Sequence, residues 1–370
     1  MPEHDGPSLQ DALGERYIVE EPLGMGGVGE VWRVRDPSLR RSLALKLLRP
    51  SRADADAEWR FVAEAQLTAQ LEHPGVVPIH ERGELPDGSP FFTMKEVRGR
   101  TLAELIQAGT PLRRLVEALL RVSETAGYAH AHGVVHRDIK PANVMLGDFG
   151  DVLLLDWGLA SLEGGTDLGT DRGDFGAFAT HAGRVAGTPA YMPPEQAHGL
   201  AGLGPSADVY ALGAVLYEIL TGRAPYGGTA REALAGLVAG PPPPLPDHAP
   251  RELVAICTRA MARRPEDRLA DALALSRALR AWMDGDFRRE QGSRRSDSST
   301  RPTGSPPRCR RCGPGPPRCA TRPAPASSRS RAMRRWRSAA WGGSRRTRRP
   351  GSKSRSSWRK TRWFADSRRR

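Results

Sequence analysis

HGVVHRDIKPANVMLGDFGDVLLLDWG, residues 132–158, is the most specific stretch of the chain. It opens with His136-Arg137-Asp138 and continues to Lys140 and Asn143. An aspartate at the head of such a loop can orient an attacking hydroxyl and accept its proton. Asn143 offers a neutral oxygen to a hard cation, and Lys140 can offset negative charge on a phosphoryl group in transit. Beyond Asn143 the pattern is apolar, then GDFGD, then VLLLD. GDFGD is rich in turn-forming residues, so NVML and VLLLD read as the outgoing and returning strands of a hairpin.

Upstream, the texture is strand-like from Tyr17 to about Val97, with one helical interruption. YIVEEPLG and GEVWRVRD read as strands around Gly24, Gly26, Gly27 and Gly29, a G-x-G-x-x-G-x-V closed by Val31. The motif lies between two strands, not between a strand and a helix, which argues against a Rossmann dinucleotide site. It suits a hairpin whose backbone N–H groups point at phosphate oxygens. LALKLL follows, with Ala44, Lys46 and Leu48 on one face by alternation. Residues 1–290 contain only three lysines (Lys46, Lys95 and Lys140) among 31 basic residues. A lysine inside an apolar strand calls for an anion. Glu64 is the candidate, on a helix read from Ala57 to Leu71 and stopped by His73-Pro74-Gly75. VVPIHE and PFFTMKEV supply two more strands.

After Gly99 the sequence turns helical. Leu112, Leu115, Val116 and Leu119 fall at helical spacing. Residues 208–222 are apolar nearly all round, as in a helix buried inside a lobe. PPPPLP at 241–246 is a rigid spacer, and 250–263 and 269–283 read as two final helices. A small sheet lobe followed by a larger helical lobe is an α+β, two-lobe plan.

The net charge of +14 divides sharply along the chain. Residues 291–370 carry 25 Lys and Arg against 2 Asp and Glu, so 1–290 is mildly acidic. The last 80 residues contain no Leu, Ile, Val or Tyr and have little with which to offset chain entropy. Three readings stand for them: a disordered basic arm that binds nucleic acid, with Trp336, Trp341, Trp358 and Trp363 able to stack on bases; an inert linker; or an arginine-rich segment translated out of the natural frame. Of four cysteines, only Cys257 lies outside this tail, which suits a reducing compartment. Cys309 and Cys312 have only Cys319 nearby and make a poor zinc set. With no signal-like N-terminus and no apolar run of bilayer length, a cytoplasmic protein is expected.

In their order along the chain these motifs resemble a protein kinase of the eukaryotic-like, Hanks type found in bacteria, from about Tyr17 to about Asp284. The resemblance implies a protein kinase fold with a flexible N-terminus at 1–16, a kinase domain at 17–284 (N-lobe 17–97, C-lobe 98–284) and a disordered tail at 285–370. It implies ATP and Mg2+ as cofactors, with Mn2+ as the alternative ion. Leu23, Gly24, Gly26, Gly27, Gly29, Val31 and Ala44 would enclose the nucleotide, Met94 would be the gatekeeper, and the Lys95 to Val97 backbone, including Glu96, would pair with adenine. Lys46 would grip the α- and β-phosphates and pair with Glu64. Asp138 would be the catalytic base, Lys140 would steady the γ-phosphate, and Asn143 would bind magnesium. Pro193-Pro194-Glu195, Asp208 and Arg268 resemble family landmarks with structural roles.

The family's second magnesium ligand is the aspartate of an Asp-Phe-Gly triplet, and this chain has three candidates: Asp148-Phe149-Gly150, Asp156-Trp157-Gly158 and Asp174-Phe175-Gly176. The family's spacing from Asn143 is about thirteen residues, which leads to Asp156. Asp148 lies five residues from Asn143, too near for a strand, a turn and a return strand. The third copy falls in a polar, glycine-rich stretch suited to a mobile activation loop. Asp156 is the expected ligand, and Trp157 takes the packing role usual for Phe. Lys140 with Thr188 resembles kinases that phosphorylate serine or threonine. Arg137 beside Asp138 suggests control by loop phosphorylation, at Thr180, Thr170 or Thr166. The alternatives are a pseudokinase scaffold and a nucleic-acid-binding protein defined by its tail; a homodimer is left open.

Overall fold

The alternation read in the first three strand segments becomes three consecutive antiparallel strands in the computed structural model, which describes residues 8–25, 29–48, 55–162, 187–200 and 203–299. The chain divides into units 1–301 and 302–370, and every described residue lies in the first. The expected loop phosphosites, Gly26, Gly27, the third Asp-Phe-Gly copy and the tail beyond residue 299 lie outside the described residues.

A short helix α1 (Leu9–Leu13) precedes strands β1 (Ile18–Met25), β2 (Gly29–Asp36) and β3 (Arg41–Leu48). Helix α2 (Ala55–Gln70) leads to β4 (Ile79–Glu84) and β5 (Pro90–Lys95), and the sheet order is β1-β2-β3-β5-β4. Alternation divides β3 between two cores. Leu43, Leu45 and Leu47 pack outward with Tyr17, Val34 and Phe91, while Leu48 packs inward with Phe61, Ala65 and Phe92 against α2. Pro22, which has no N–H to give, sits on edge strand β1 where the ladder tolerates it.

Residues 8–16 depart from the expectation of a flexible N-terminus. The Ser8 hydroxyl accepts from the Asp11 N–H while the Asp11 carboxylate accepts from the Ser8 N–H, a capping box. Gln10 Oε1 accepts the Val19 N–H at 2.8 Å and its Nε2 donates to Tyr17 O at 3.1 Å, fastening α1 to the sheet edge. A helix of one turn is too short to show periodicity. The fourth strand also begins later than VVPIHE implies. Val76 and Val77 are buried, and Val76 joins the helical lobe's core and bridges to Leu154.

The larger lobe begins with β6 (Gly99–Thr101), α3 (Leu102–Gln107) and α4 (Leu112–Ala131). Strands β7 (Val134–Val135), β8 (Val144–Gly147), β9 (Val152–Leu154) and β10 (Ser161–Leu162) follow. The β8–β9 pair is the hairpin anticipated from the sequence. Gly147 N–H donates to Asp151 O at 2.8 Å, and Gly150 turns the chain at φ +89°. Phe149 is fully exposed at the tip, so the literal Asp-Phe-Gly is a solvent-facing turn.

Helices α5 (Pro194–Ala197), α6 (Pro205–Thr221), α7 (Ala230–Ala239), α8 (Arg251–Ala260) and α9 (Ala272–Ser299) complete the lobe. α6 is buried from Ala207 to Ile219, as its unbroken apolar character requires. α9 runs to Ser299, past the 284 boundary set from the sequence. Cys257 is buried on α8, and burial pushes its thiol up to about 12, consistent with an inert core residue. Among the described residues no helix is long and apolar enough to cross a membrane.

Candidate active site

The loop leaving β7 is fastened from beneath by α6. Asp208, fully buried in the first turn of α6, accepts the backbone N–H of His136 on Oδ2 and of Arg137 on Oδ1, both at 2.8 Å. His130 Nε2 lies 2.8 Å from the same Oδ2. These bonds hold Arg137 at φ +68°, a left-handed conformation that costs a non-glycine residue about 1–3 kcal/mol. Gln196 of α5, which the sequence did not single out, donates from Nε2 to Arg137 O at 3.0 Å.

Burial acts to raise the Asp208 carboxyl's pKa, but His130, His136 and the backbone N–H outweigh it and hold the group below the ordinary aspartate range. A group depressed on folding contributes stability above its unfolded pKa of about 3.9, and that contribution is lost as the pH falls through the lower folded value. Thermal denaturation from about pH 6 down to about pH 3 is therefore expected to show a steeper loss for the native chain than for Asp208→Asn. Parallel curves would remove Asp208 as the source.

Asp138 lies next to this strained residue. Its Oδ1 accepts the Thr188 N–H at 2.9 Å, and its Oδ2 lies 2.6 Å from Lys140 Nζ. Lys140 Nζ also donates to Thr188 Oγ1 at 2.9 Å, so one ammonium bridges the loop aspartate and Thr188 in the segment before α5. Asn143 Nδ2 donates to Asp138 O at 3.0 Å, which commits the amide nitrogen to the loop and leaves the oxygen as the atom that could meet a cation.

A second cluster carries the opposite wall. Lys46 Nζ is 2.6 Å from Glu64 Oε1 and 3.6 Å from Asp156 Oδ1. Burial pushes the Lys46 ammonium down, yet Glu64 and Asp156 outweigh it, and the group stays above the ordinary lysine value. Burial likewise acts to raise Asp156, but Lys46, His136 and Lys140 hold it below the usual carboxylate range. Asp156 adopts φ +63°, at the end of the returning strand. The residue before it, Leu155, donates its N–H to Asn143 O at 2.8 Å, which puts Asn143 and Asp156 on neighbouring segments. One carboxylate and one amide oxygen are the hard donors that magnesium takes.

Trp157 is buried in the core, donates from Nε1 to Leu154 O at 3.2 Å and packs tilted against His136, with ring centroids 4.6 Å apart. His136 in turn lies 3.1 Å from Leu155 O through Nε2 and accepts the Asp138 N–H on Nδ1 at 3.3 Å. It therefore links the loop to the segment bearing Asp156, a role that the sequence did not reveal.

The described residues expected to enclose the nucleotide lie on β1, β2, β3 and β5 and in the hinge, the segment after β5 that leads into the larger lobe. Val31 pairs with Lys46 and Gly24 with Val31, while Met94 stands opposite Ala44. Cross-strand pairing and the period of two put Val31, Ala44 and Lys46 on one face. Leu23 is an exposed residue of β1, Gly29 begins β2, and Glu96 and Val97 follow β5 at the crossing between lobes.

A five-stranded sheet with one helix, a helical lobe, and a charged cleft between them define the class. A family model described as "Protein kinase domain" matches residues 17–279, and the chain belongs to that family. It is 37% identical over 270 residues to the serine/threonine-protein kinase PknB of Mycolicibacterium smegmatis, covering 70% of this chain and 42% of the relative. It is 35% identical over 313 residues to the serine/threonine-protein kinase pkn3 of Myxococcus xanthus, covering 80% and 55%. A DNA damage-responsive serine/threonine-protein kinase, RqkA of Deinococcus radiodurans, is 37% identical over 279 residues, covering 72% and 40%. The matches span about half the length of these curated relatives.

Proposed function

We propose that this chain is an ATP- and magnesium-dependent protein kinase that phosphorylates serine and threonine hydroxyls, including its own, in cytoplasmic bacterial signalling. The observation that carries the reading is Lys140 joining Asp138 to Thr188. A hydroxyl placed at Asp138 is oriented by the carboxylate and gives up its proton to it as its oxygen bonds to the γ-phosphorus. The bond from that phosphorus to the β–γ bridging oxygen breaks, and ADP departs. Lys140 offsets charge on the moving phosphoryl group, and Lys46, held by Glu64, offsets charge on the other phosphates. Asn143 and Asp156 would hold magnesium, which would supply positive charge to the triphosphate.

Loop control belongs to the same reading. Arg137 Nε is buried without a partner among the described residues, and burial lowers the guanidinium's pKa, so an added phosphate would relieve a poorly compensated cation. Incubated with ATP, the native chain is expected to gain phosphoserine and phosphothreonine, with phosphate mapping to Thr180, Thr170 or Thr166. Asp138→Asn is expected to gain about a hundredfold less or lower still. Intact-mass and phosphoamino-acid analysis read both. Phosphotyrosine alone, or equal incorporation by Asp138→Asn, would overturn the reading; unmodified loop peptides in an active enzyme would remove loop control.

A further inference from the structure

The hinge carries charged side chains that are tied to different elements. Lys95 Nζ lies 3.0 Å from Asp151 Oδ2, beside the hairpin tip in the helical lobe. Glu96 engages the other lobe. Its side chain is only 5% exposed, and its Oε1 lies 2.7 Å from Arg33 Nε and 2.6 Å from Arg33 Nη2. Its Oε2 lies 3.1 Å from Arg98 Nη2. Arg33 stands on β2 opposite Ala44, so it shares the sheet face of Val31 and Ala44. Its remaining nitrogen, Nη1, meets the Glu21 carboxylate of β1.

A carboxylate this far from water is retained only when it is fully paired. Burial acts to raise the pKa of Glu96, but Arg98 and Arg33 outweigh it and hold the carboxyl below the ordinary range. Outside the strand ladder, the described main-chain bonds of residues 95–98 run from Lys95 N–H to Pro78 O and from Asp148 N–H to Arg98 O. Neither reaches β2. Among the described residues, the link from the hinge to β2 is the guanidinium–carboxylate pair, in which two guanidinium nitrogens converge on one Glu96 oxygen and restrict relative motion more than a single bond does.

We propose that Arg33 is a positioning residue for the nucleotide: through Glu96 it holds the hinge backbone against β2, and so sets the groups at Lys95 to Val97 that meet the adenine. This rests on the kinase reading above. Arg33 touches no substrate in this account, so its effect falls on nucleotide affinity and not on the transfer step.

The test is steady-state transfer to a generic basic protein by the full chain at varied ATP, with Arg33→Leu, Arg33→Lys, Glu96→Gln and the double variant Arg33→Leu/Glu96→Gln. Arg33→Leu is expected to raise the KM for ATP about five- to tenfold while kcat moves by less than about twofold. Arg33→Lys, which keeps the charge but loses the fork, recovers part of the affinity. The double variant is no worse than the weaker single variant, because one link has been cut twice. An unchanged KM in both Arg33→Leu and Arg33→Lys overturns the proposal, as do KM increases that multiply in the double variant. Should Arg33→Leu fail to fold, Arg33→Lys and Glu96→Gln still read the link through KM against kcat. A native chain without ATP-dependent incorporation would instead defeat the kinase reading itself.

Discussion

Replacing Asp156 with alanine is expected to lower phosphoryl transfer about a thousandfold or more, and replacing Asp148 with alanine to change it by less than about twofold. The difference follows from where one hairpin places the two carboxylates. Asp148 is exposed at the turn, donates its N–H to Arg98 O at 3.2 Å, and flanks the fully exposed Phe149. Asp156 follows the returning strand, lies 3.6 Å from Lys46, and is held ionised below the usual carboxylate range. Radiolabelled ATP and a generic basic protein read the outcome, with thermal denaturation as the control for folding. Asp156→Asn, which keeps the shape and removes the charge, should fall nearly as far. Equal incorporation by the native chain and Asp156→Ala would sink the metal assignment. A loss confined to Asp148→Ala would move the site to the hairpin tip.

The largest stability effect is expected at Arg268. Its guanidinium is wholly buried, and all five N–H donors are engaged: Nη1 on Glu195 Oε1 at 2.6 Å and Ser206 O at 2.8 Å, Nη2 on Glu195 Oε2 at 2.8 Å and Arg263 O at 3.2 Å, and Nε on Ala262 O at 2.8 Å. It also lies 5.0 Å from the Tyr210 ring centroid. Arg268→Ala leaves a carboxylate and three carbonyls without their donor, which costs about 3–5 kcal/mol. For a domain of this size the midpoint should fall by about 10 °C. Arg268→Met/Glu195→Leu should recover much of the loss, because removing both charges avoids stranding either. A fall of less than about 2 °C in Arg268→Ala would show that solvent or the loop compensates.

Lys46 was legible because it is a lysine in an apolar strand of an arginine-using chain, and Glu64 because one helix follows that strand. The hairpin was legible because GDFGD separates two apolar runs, and the distance from Asn143 then favours Asp156 over Asp148. Arg33 was not legible. A charged residue on an edge-proximal strand looks like any solvated arginine until the hinge folds beneath it. Gln196 and His136 were hidden for a similar reason: neither periodicity nor charge marks a side chain whose partner is a backbone carbonyl. The segment at residues 8–16 escaped because one capped turn carries no period, and the last turns of α9 escaped because no apolar stripe in the sequence marks them.

Local pattern in the sequence carries the strands of the small lobe, the long helices of the larger lobe, the sheet-then-helix plan and the residue types available for phosphoryl chemistry. These depend on local periodicity, turn residues and fixed spacing. The family resemblance implies Lys46 with Glu64, Arg268 with Glu195 and Asp208 under the loop; the folded lobes supply the remaining partners and fix the geometry of each. Lys140 joins Asp138 to Thr188 and Arg268 clasps Glu195 through chain separations of 48 and 73 residues, and Asp208 ties down His136 across 72. Such pairings are set by how the helical lobe closes around α6. Burial then raises the cost of any charge left unpaired, so packing, not local pattern, selects the partners.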